Sequence, residues 1–161
     1  MNSLKETEPH NDLYIVCPFC RLEYFLRTKF GDNIFIITVP AVVLNSHHVE
    51  DWALNEFLKR EKITDIYLVS DTSCNFIEEA INGDKEFGLN CEIRLRELCN
   101  NLSIDLERLD LLCDKKELLA KSIALAQIQF LKAEFTFKDE TTKINIHGMI
   151  TDKNSGYKII N

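Results

Sequence analysis

Apolar residues fall along this chain in short runs and in stripes at helical spacing, and the two patterns alternate. Leu13-Tyr14-Ile15-Val16-Cys17 is a run of strand formers, and Pro18 breaks it, so the chain turns there. Arg21 to Lys29 places Leu22, Phe25 and Leu26 on one face and predicts a helix. Gly31-Asp32-Asn33 is a turn signal. Ile34 to Val39 is a second continuous apolar run, of the kind a strand buried on both faces carries, and Pro40 ends it. Val49 to Glu61 predicts a helix with Trp52, Phe57 and Leu58 apolar. Ile63 to Val69 predicts a third strand, and Ser70-Asp71-Thr72-Ser73 a polar corner. A helix should begin near Cys74, with Phe76, Ile77, Ala80 and Ile81 in phase and Asp71, Thr72 or Ser73 as its cap. Residues 82–90 read as a loop. Ile93 to Cys113 is helical with a break near Asn100-Asn101, and Lys115 to Leu131 is strongly helical. A β-rich tail follows: Glu134 to Phe137, Lys143 to Ile150, a turn at Asn154-Ser155-Gly156, and Tyr157 to Ile160. Strands alternating with helices predict an α/β fold, a mainly parallel sheet with helices on both faces and a C-terminal antiparallel strand. No repeat or linker divides the 161 residues, so one domain is expected over 1–161, with 1–11 as a loose arm.

Composition narrows the function. Nineteen Lys and Arg against 26 Asp and Glu leave a net charge of −7, which argues against nucleic acid as a partner. Five glycines form no phosphate-cradling motif. The first residues are polar, and no run approaches the ~18 apolar residues of a membrane span, so the cytoplasm is the expected location. In that reducing setting the six cysteines are core residues, metal ligands or redox groups rather than disulfides. Parallel α/β sheets form sites at the carboxyl ends of their strands. Cys17 ends the first strand, and Cys74 follows the third, three residues after Asp71. If those strands are neighbours, Cys17, Cys74 and Asp71 make a three-ligand zinc set. The alternative is two core cysteines, with Asp71 as a helix cap.

The order of these segments resembles that of the β-class carbonic anhydrases. That family ends its first strand in Cys-x-Asp-x-Arg, and here stands Cys17-Pro18-Phe19-Cys20-Arg21. Its next unit, a Gly-Asp before an apolar strand, is similar to Gly31-Asp32-Asn33-Ile34-Phe35-Ile36-Ile37. Its apolar strand and His-x-x-Cys corner resemble Ile63 to Cys74, with Asp71 where the family has His. Its closing strand resembles Lys143 to Asp152 with Gly156. The resemblance implies zinc held by Cys17, Cys74 and the substituted Asp71, carbon dioxide and bicarbonate as substrates, and a homodimer. Arg21 matches the family's catalytic-site arginine, but Phe19 replaces the Asp that pairs with it. The Arg-Asn-x-Gly-Asn run is absent, and Thr38-Val39-Pro40-Ala41-Val42 stands in its place.

Those departures bear on the chemistry. A hydratase needs a metal that lowers the pKa of bound water to about 7. Two thiolates and a carboxylate set −3 against the +2 of zinc and weaken that effect. Phe19 has no group with which to orient the nucleophile. A zinc-binding homologue with weak or lost hydration is the expectation, with a metal-free binding scaffold as the alternative. Cys17-Pro18-Phe19-Cys20 also resembles the dithiol site of glutaredoxins, and Thr38-Val39-Pro40 their later Thr-Val-Pro, which makes a dithiol oxidoreductase a third option. Cys20, His47 and His48 are additional candidate ligands. Cys91 has no assigned role, Cys99 and Cys113 are expected in the core, and His147 is expected to pack or to lie at an interface.

Overall fold

The computed structural model describes residues 11–45, 52–83, 85–136, 143–152 and 156–161. The described strands are β1 (Asp12–Val16), β2 (Phe35–Thr38), β3 (Asp65–Asp71), β4 (Asn145–Asp152) and β5 (Gly156–Ile160). They form a sheet in the order β2-β1-β3-β4-β5. The first four are parallel, and β5 runs antiparallel to β4. The predicted α/β class and its C-terminal antiparallel strand are therefore present. The helices are α1 (Glu23–Phe30), α2 (Trp52–Arg60), α3 (Asn75–Asn82), α4 (Cys91–Asn101), α5 (Ser103–Glu107) and α6 (Leu112–Thr136), with one-turn 3₁₀ helices at Pro18–Cys20 and Pro40–Val42.

Leu13 to Val16 are buried because β1 is central, paired in parallel with β2 on one side and β3 on the other. The chain leaves β1 outward to β2, then returns across β1 to β3. Their connections diverge at the carboxyl ends, which opens the crevice where α/β sheets place their sites. Helices cover both faces. Phe30 of α1 stacks on Tyr14 with ring centroids 5.2 Å apart. On the other face α6 lies so close to β4 that a Cβ on Gly148 would sit 3.2 Å from Ala124 Cβ and 2.6 Å from Ile160 Cγ1.

Some expectations require correction. The apolar run of β2 is only half-buried, because β2 is an edge strand and apolar content does not report position in the sheet. Glu134 to Thr136 are not a strand but the last turn of α6. Each further helical residue adds a hydrogen bond once a helix exists, and that outweighs the β preference of Phe and Thr. The helix expected to reach Cys113 breaks after Glu107, and Cys113 is exposed in the first turn of α6 rather than in the core. Phe137, the loose arm over 1–10, and Asn154-Ser155 of the predicted turn lie outside the described residues.

The amino ends of β1, β3 and β4 carry an aromatic row. Tyr14 stacks on Tyr67 and Tyr67 on His147, each at 4.9 Å. His147 does pack, and its Nε2 lies 2.8 Å from Asp65 Oδ1, which also accepts a hydrogen bond from Asn145 Nδ2 at 3.2 Å. Burial raises the Asp65 pKa, but the hydrogen bonds from His147, Thr64 and Asn145 outweigh it and hold the carboxyl below its usual range.

Two outcomes follow from this packing. Gly148→Ala should lower stability by about 1–3 kcal/mol through overpacking, read as a lower denaturation midpoint at unchanged denaturant dependence. The depressed Asp65 pKa contributes stability that is complete above the unfolded carboxyl pKa of about 3.9 and lost as pH falls through the lower folded value. Acid denaturation of His147→Ala should therefore show a shallower loss across that window than the parent chain.

Candidate metal centre

Residues at the ends of β1, β2 and β3 build this site. Cys17 continues β1 in extended geometry, with φ −76° and ψ 129°, and caps the 3₁₀ turn started by Pro18. That turn closes with the Cys20 N–H donating to the Cys17 carbonyl at 3.1 Å. A 3₁₀ turn has three residues, so Cys17 and Cys20 project from the same side. Arg21, at φ 53°, then redirects the chain into α1. Across the sheet the Cys74 N–H donates to the Asp71 carbonyl at 3.1 Å, and Cys74 takes the N-cap position of α3. Parallel pairing of Val16 with Val69 brings the two corners together.

The sulfurs of Cys17, Cys20 and Cys74 all lie within 4.8 Å of one another, and all three residues are buried. Cys20, held as an additional candidate, is thus the third member of the group. Asp71 is not in it. Its Oδ1 accepts the Ser73 N–H at 2.8 Å and the Ser73 hydroxyl, and its Oδ2 accepts the Thr151 hydroxyl at 2.7 Å. The carboxylate ties the β3 corner to β4. His47 and His48 lie outside the described residues. Arg21 is exposed and makes no ion pair among the described residues.

The exit of β2 supplies a fourth element. Ala41 and Val42 both have positive φ, 53° and 59°, in a region that costs L side chains of order 1–3 kcal/mol per residue. This conformation aims the Ala41 N–H at Cys17 Sγ, 3.3 Å away. Thiol hydrogen bonds from Cys20 and Cys74, with the Ala41 and Phe19 N–H groups, outweigh burial and pull the Cys17 pKa down to about 3. The hydrogen bond with Cys17 pushes Cys20 up, and the same interaction and burial hold Cys74 at about 12. No local sequence signal marks Ala41 or Thr151 as part of this arrangement. The Cys-x-x-Cys spacing marks Cys20.

The other cysteines separate from the cluster. Cys91 is the buried first residue of α4, and burial pushes its thiol up to about 11. It lines a cavity of about 350 Å³ with Leu44, Gln127 and Phe130. Cys99 is half-buried. Phe19 is 58% exposed over the cluster's 3₁₀ turn, with its ring edge-on to Phe76 at 5.3 Å.

Comparison with solved structures places the whole chain. The wild-type β-carbonic anhydrase CafD of the filamentous fungus Aspergillus fumigatus superposes with a TM-score of 0.77 over 99% of this chain and 95% of its own, at 20% identity. The fold is that of the β-carbonic anhydrases. Two tetrameric β-carbonic anhydrases of Sordaria macrospora are represented by a match with a TM-score of 0.73 over 95% of this chain and 81% of that chain, at 17% identity. The Coccomyxa β-carbonic anhydrase in complex with acetazolamide matches at 0.69 over 98% and 74%, at 14% identity. No protein-family model and no curated protein matches the sequence. On this carbonic anhydrase fold, the crevice between β1 and β3 carries three thiols, and the carboxylate beside them is engaged in structural hydrogen bonds.

Asp71→Ala removes a buried acceptor from three donors and should cost about 2–4 kcal/mol, whereas Asp71→Asn should cost less. Equilibrium unfolding of the two variants measures that order.

Proposed function

We propose that this chain is a divergent member of the β-carbonic anhydrase family that binds one zinc ion through Cys17, Cys20 and Cys74 and has weak or no CO2 hydration activity. One observation carries the reading: three buried sulfurs lie within 4.8 Å of one another at the sheet's crevice. Sulfurs bound to zinc at about 2.3 Å in tetrahedral geometry lie about 3.8 Å apart, so modest side-chain rotation closes the cluster on an ion. The donors suit the ion as well, since thiolates are ligands that zinc prefers. Cys20 stands as the third ligand in place of Asp71, whose oxygens are already committed to Ser73 and Thr151. Zinc in such a site supplies Lewis acidity and organises the chain segments that bind it.

Weak catalysis follows from the residues around the cluster. Three thiolates set −3 against +2 and oppose the positive field that a hydratase needs. Phe19 has an apolar ring and no proton acceptor. Arg21 is exposed, with no carboxylate partner among the described residues. Carbon dioxide and bicarbonate are therefore not assigned as turnover substrates.

Self-association belongs to the same reading. The relatives from Sordaria macrospora are described as tetrameric. Here the edge strand β2 leaves Phe35, Ile36 and Ile37 half-buried. A homodimer or higher assembly would cover that edge. No helix among the described residues is long and apolar enough to cross a membrane. A cytoplasmic location suits the free thiols. Dithiol exchange is disfavoured, because Cys17 is 2% exposed and out of reach of a protein partner.

Protein purified without added metal should contain about one zinc per chain, and Cys17→Ser, Cys20→Ser or Cys74→Ser should lose it. Elemental analysis that finds no zinc, or finds it retained in Cys20→Ser and lost in Asp71→Asn, would overturn the ligand set. Stopped-flow hydration should show little acceleration over the uncatalysed rate. A turnover of about 10³ s⁻¹ or more would remove the claim of lost activity.

A further inference from the structure

We propose that residues 85–89 form a strap over the thiol cluster, in which Phe87 seals the contact of Phe76 with Phe19 and swings away to let a small solute reach the sulfurs. The proposal concerns the thiols themselves and requires no ion among them.

Two of the three rings are rooted in the cluster. The Phe19 N–H donates to the Cys17 sulfur, and the Phe76 N–H to the Cys74 sulfur. Their rings meet edge-on at 5.3 Å, and Phe87 adds a third ring 4.8 Å from Phe76. Phe76 is buried, whereas Phe19 and Phe87 reach solvent. Cys17, Cys20 and Cys74 are each at most 3% exposed. The row of rings is thus the outer layer of the two corners that carry the sulfurs.

Phe87 is held in this row by weak fastenings. Residues 85–89 have no regular structure, and all are exposed. Glu92 on α4 ties them down. Its Oε1 accepts the Phe87 N–H at 2.5 Å, and its Oε2 accepts those of Gly88 and Leu89 at 3.0 and 3.2 Å. Glu86 pairs with Arg96 of the same helix. These contacts are exposed, so water competes for them and each contributes little. Beside the strap lies a cavity of about 160 Å³ in place of packed core, and Phe76, Lys85, Glu86 and Leu95 line it. Gly83 and Gly88 take positive φ, 73° and 77°, and a Cβ on either would meet nothing within 4 Å. Exposed fastenings, an adjoining cavity and two unhindered glycines put this segment at the low-stability end of the fold, where local opening occurs without global unfolding. Phe19 sits in a closed 3₁₀ turn and Phe76 is buried in α3, so Phe87 is the ring whose backbone can move.

The test is site-resolved labelling of the full purified chain with N-ethylmaleimide, read by mass spectrometry with and without a zinc chelator. Phe87→Ala removes the ring, and Glu92→Ala releases the strap from an exposed position. Each should raise the labelling rate of the cluster thiols by about tenfold. Exposed Cys113 should react at one rate in all three chains. Low concentrations of urea should change the cluster rates little, whereas labelling through global unfolding rises steeply with denaturant. Parent-like rates in both variants would overturn the strap, and so would cluster labelling that tracks global unfolding. Thiols that stay unlabelled in every chain until the chelator is added, and then react at one shared rate, would show that zinc alone protects them and would also overturn it. Fast labelling in variants that hold no zinc would support the strap while removing the zinc reading.

Discussion

Parallel pairing of β1 with β3 is the contact on which the rest depends. It joins segments more than fifty residues apart in sequence and sets them in a register that places the Cys17 corner beside the Cys74 corner. Sheet hydrogen bonds and buried side chains on both strands maintain that register. A slip of one residue would turn every side chain of β1 to the opposite face and take Tyr14 out of its stack with Phe30 and Tyr67. The thiol cluster is thus assembled by backbone pairing and not by local sequence. The 3₁₀ turn adds Cys20 at the same corner, and the exit of β2 adds a backbone donor from the other side.

The residues around this crevice form a consistent set. Where an imidazole would serve the family, Asp71 acts as a fastener between β3 and β4. Where a carboxylate would serve it, Phe19 packs edge-on against Phe76. The third sulfur of the cluster comes from Cys20, on a neighbouring element. A scaffold can keep the placement of a site while changing its chemistry, because placement is set by strand order and chemistry by a few side chains.

Much of this was legible in the sequence. Alternating strand runs and helical stripes specify the α/β class, and the ends of two of those runs mark Cys17 and Cys74. The third member of the thiol cluster was less accessible. Asp71 and Cys20 are both near in sequence, and only the fold sets them apart, filling the carboxylate's oxygens with Ser73 and Thr151 and bringing the Cys20 thiol into the cluster. The edge position of β2 was hidden because an apolar run reads the same at the centre of a sheet and at its edge. Ala41 gave no signal, since its contribution is a backbone N–H and any residue carries one. The helical end of α6 was misread because local β preference at Phe135-Thr136 competes with helix propagation, and a sequence window does not weigh the two.

The positive-φ backbone at Ala41 and Val42 has a consequence for how the chain varies. Loops usually accept insertions and deletions, since few contacts fix their length. This one is fastened at both ends, by the Ala41 N–H on Cys17 Sγ and by the Leu44 N–H on the buried Gln127 Oε1 at 2.9 Å. Glycine would adopt the same dihedrals more easily, but Ala41 and Val42 are themselves buried and fill space that glycine would leave empty. Length and side-chain volume are therefore both constrained in a segment that carries no reactive group. Among homologous chains, conserved spacing between Pro40 and Leu44 would be a more sensitive marker of this site than the identity of any residue between them.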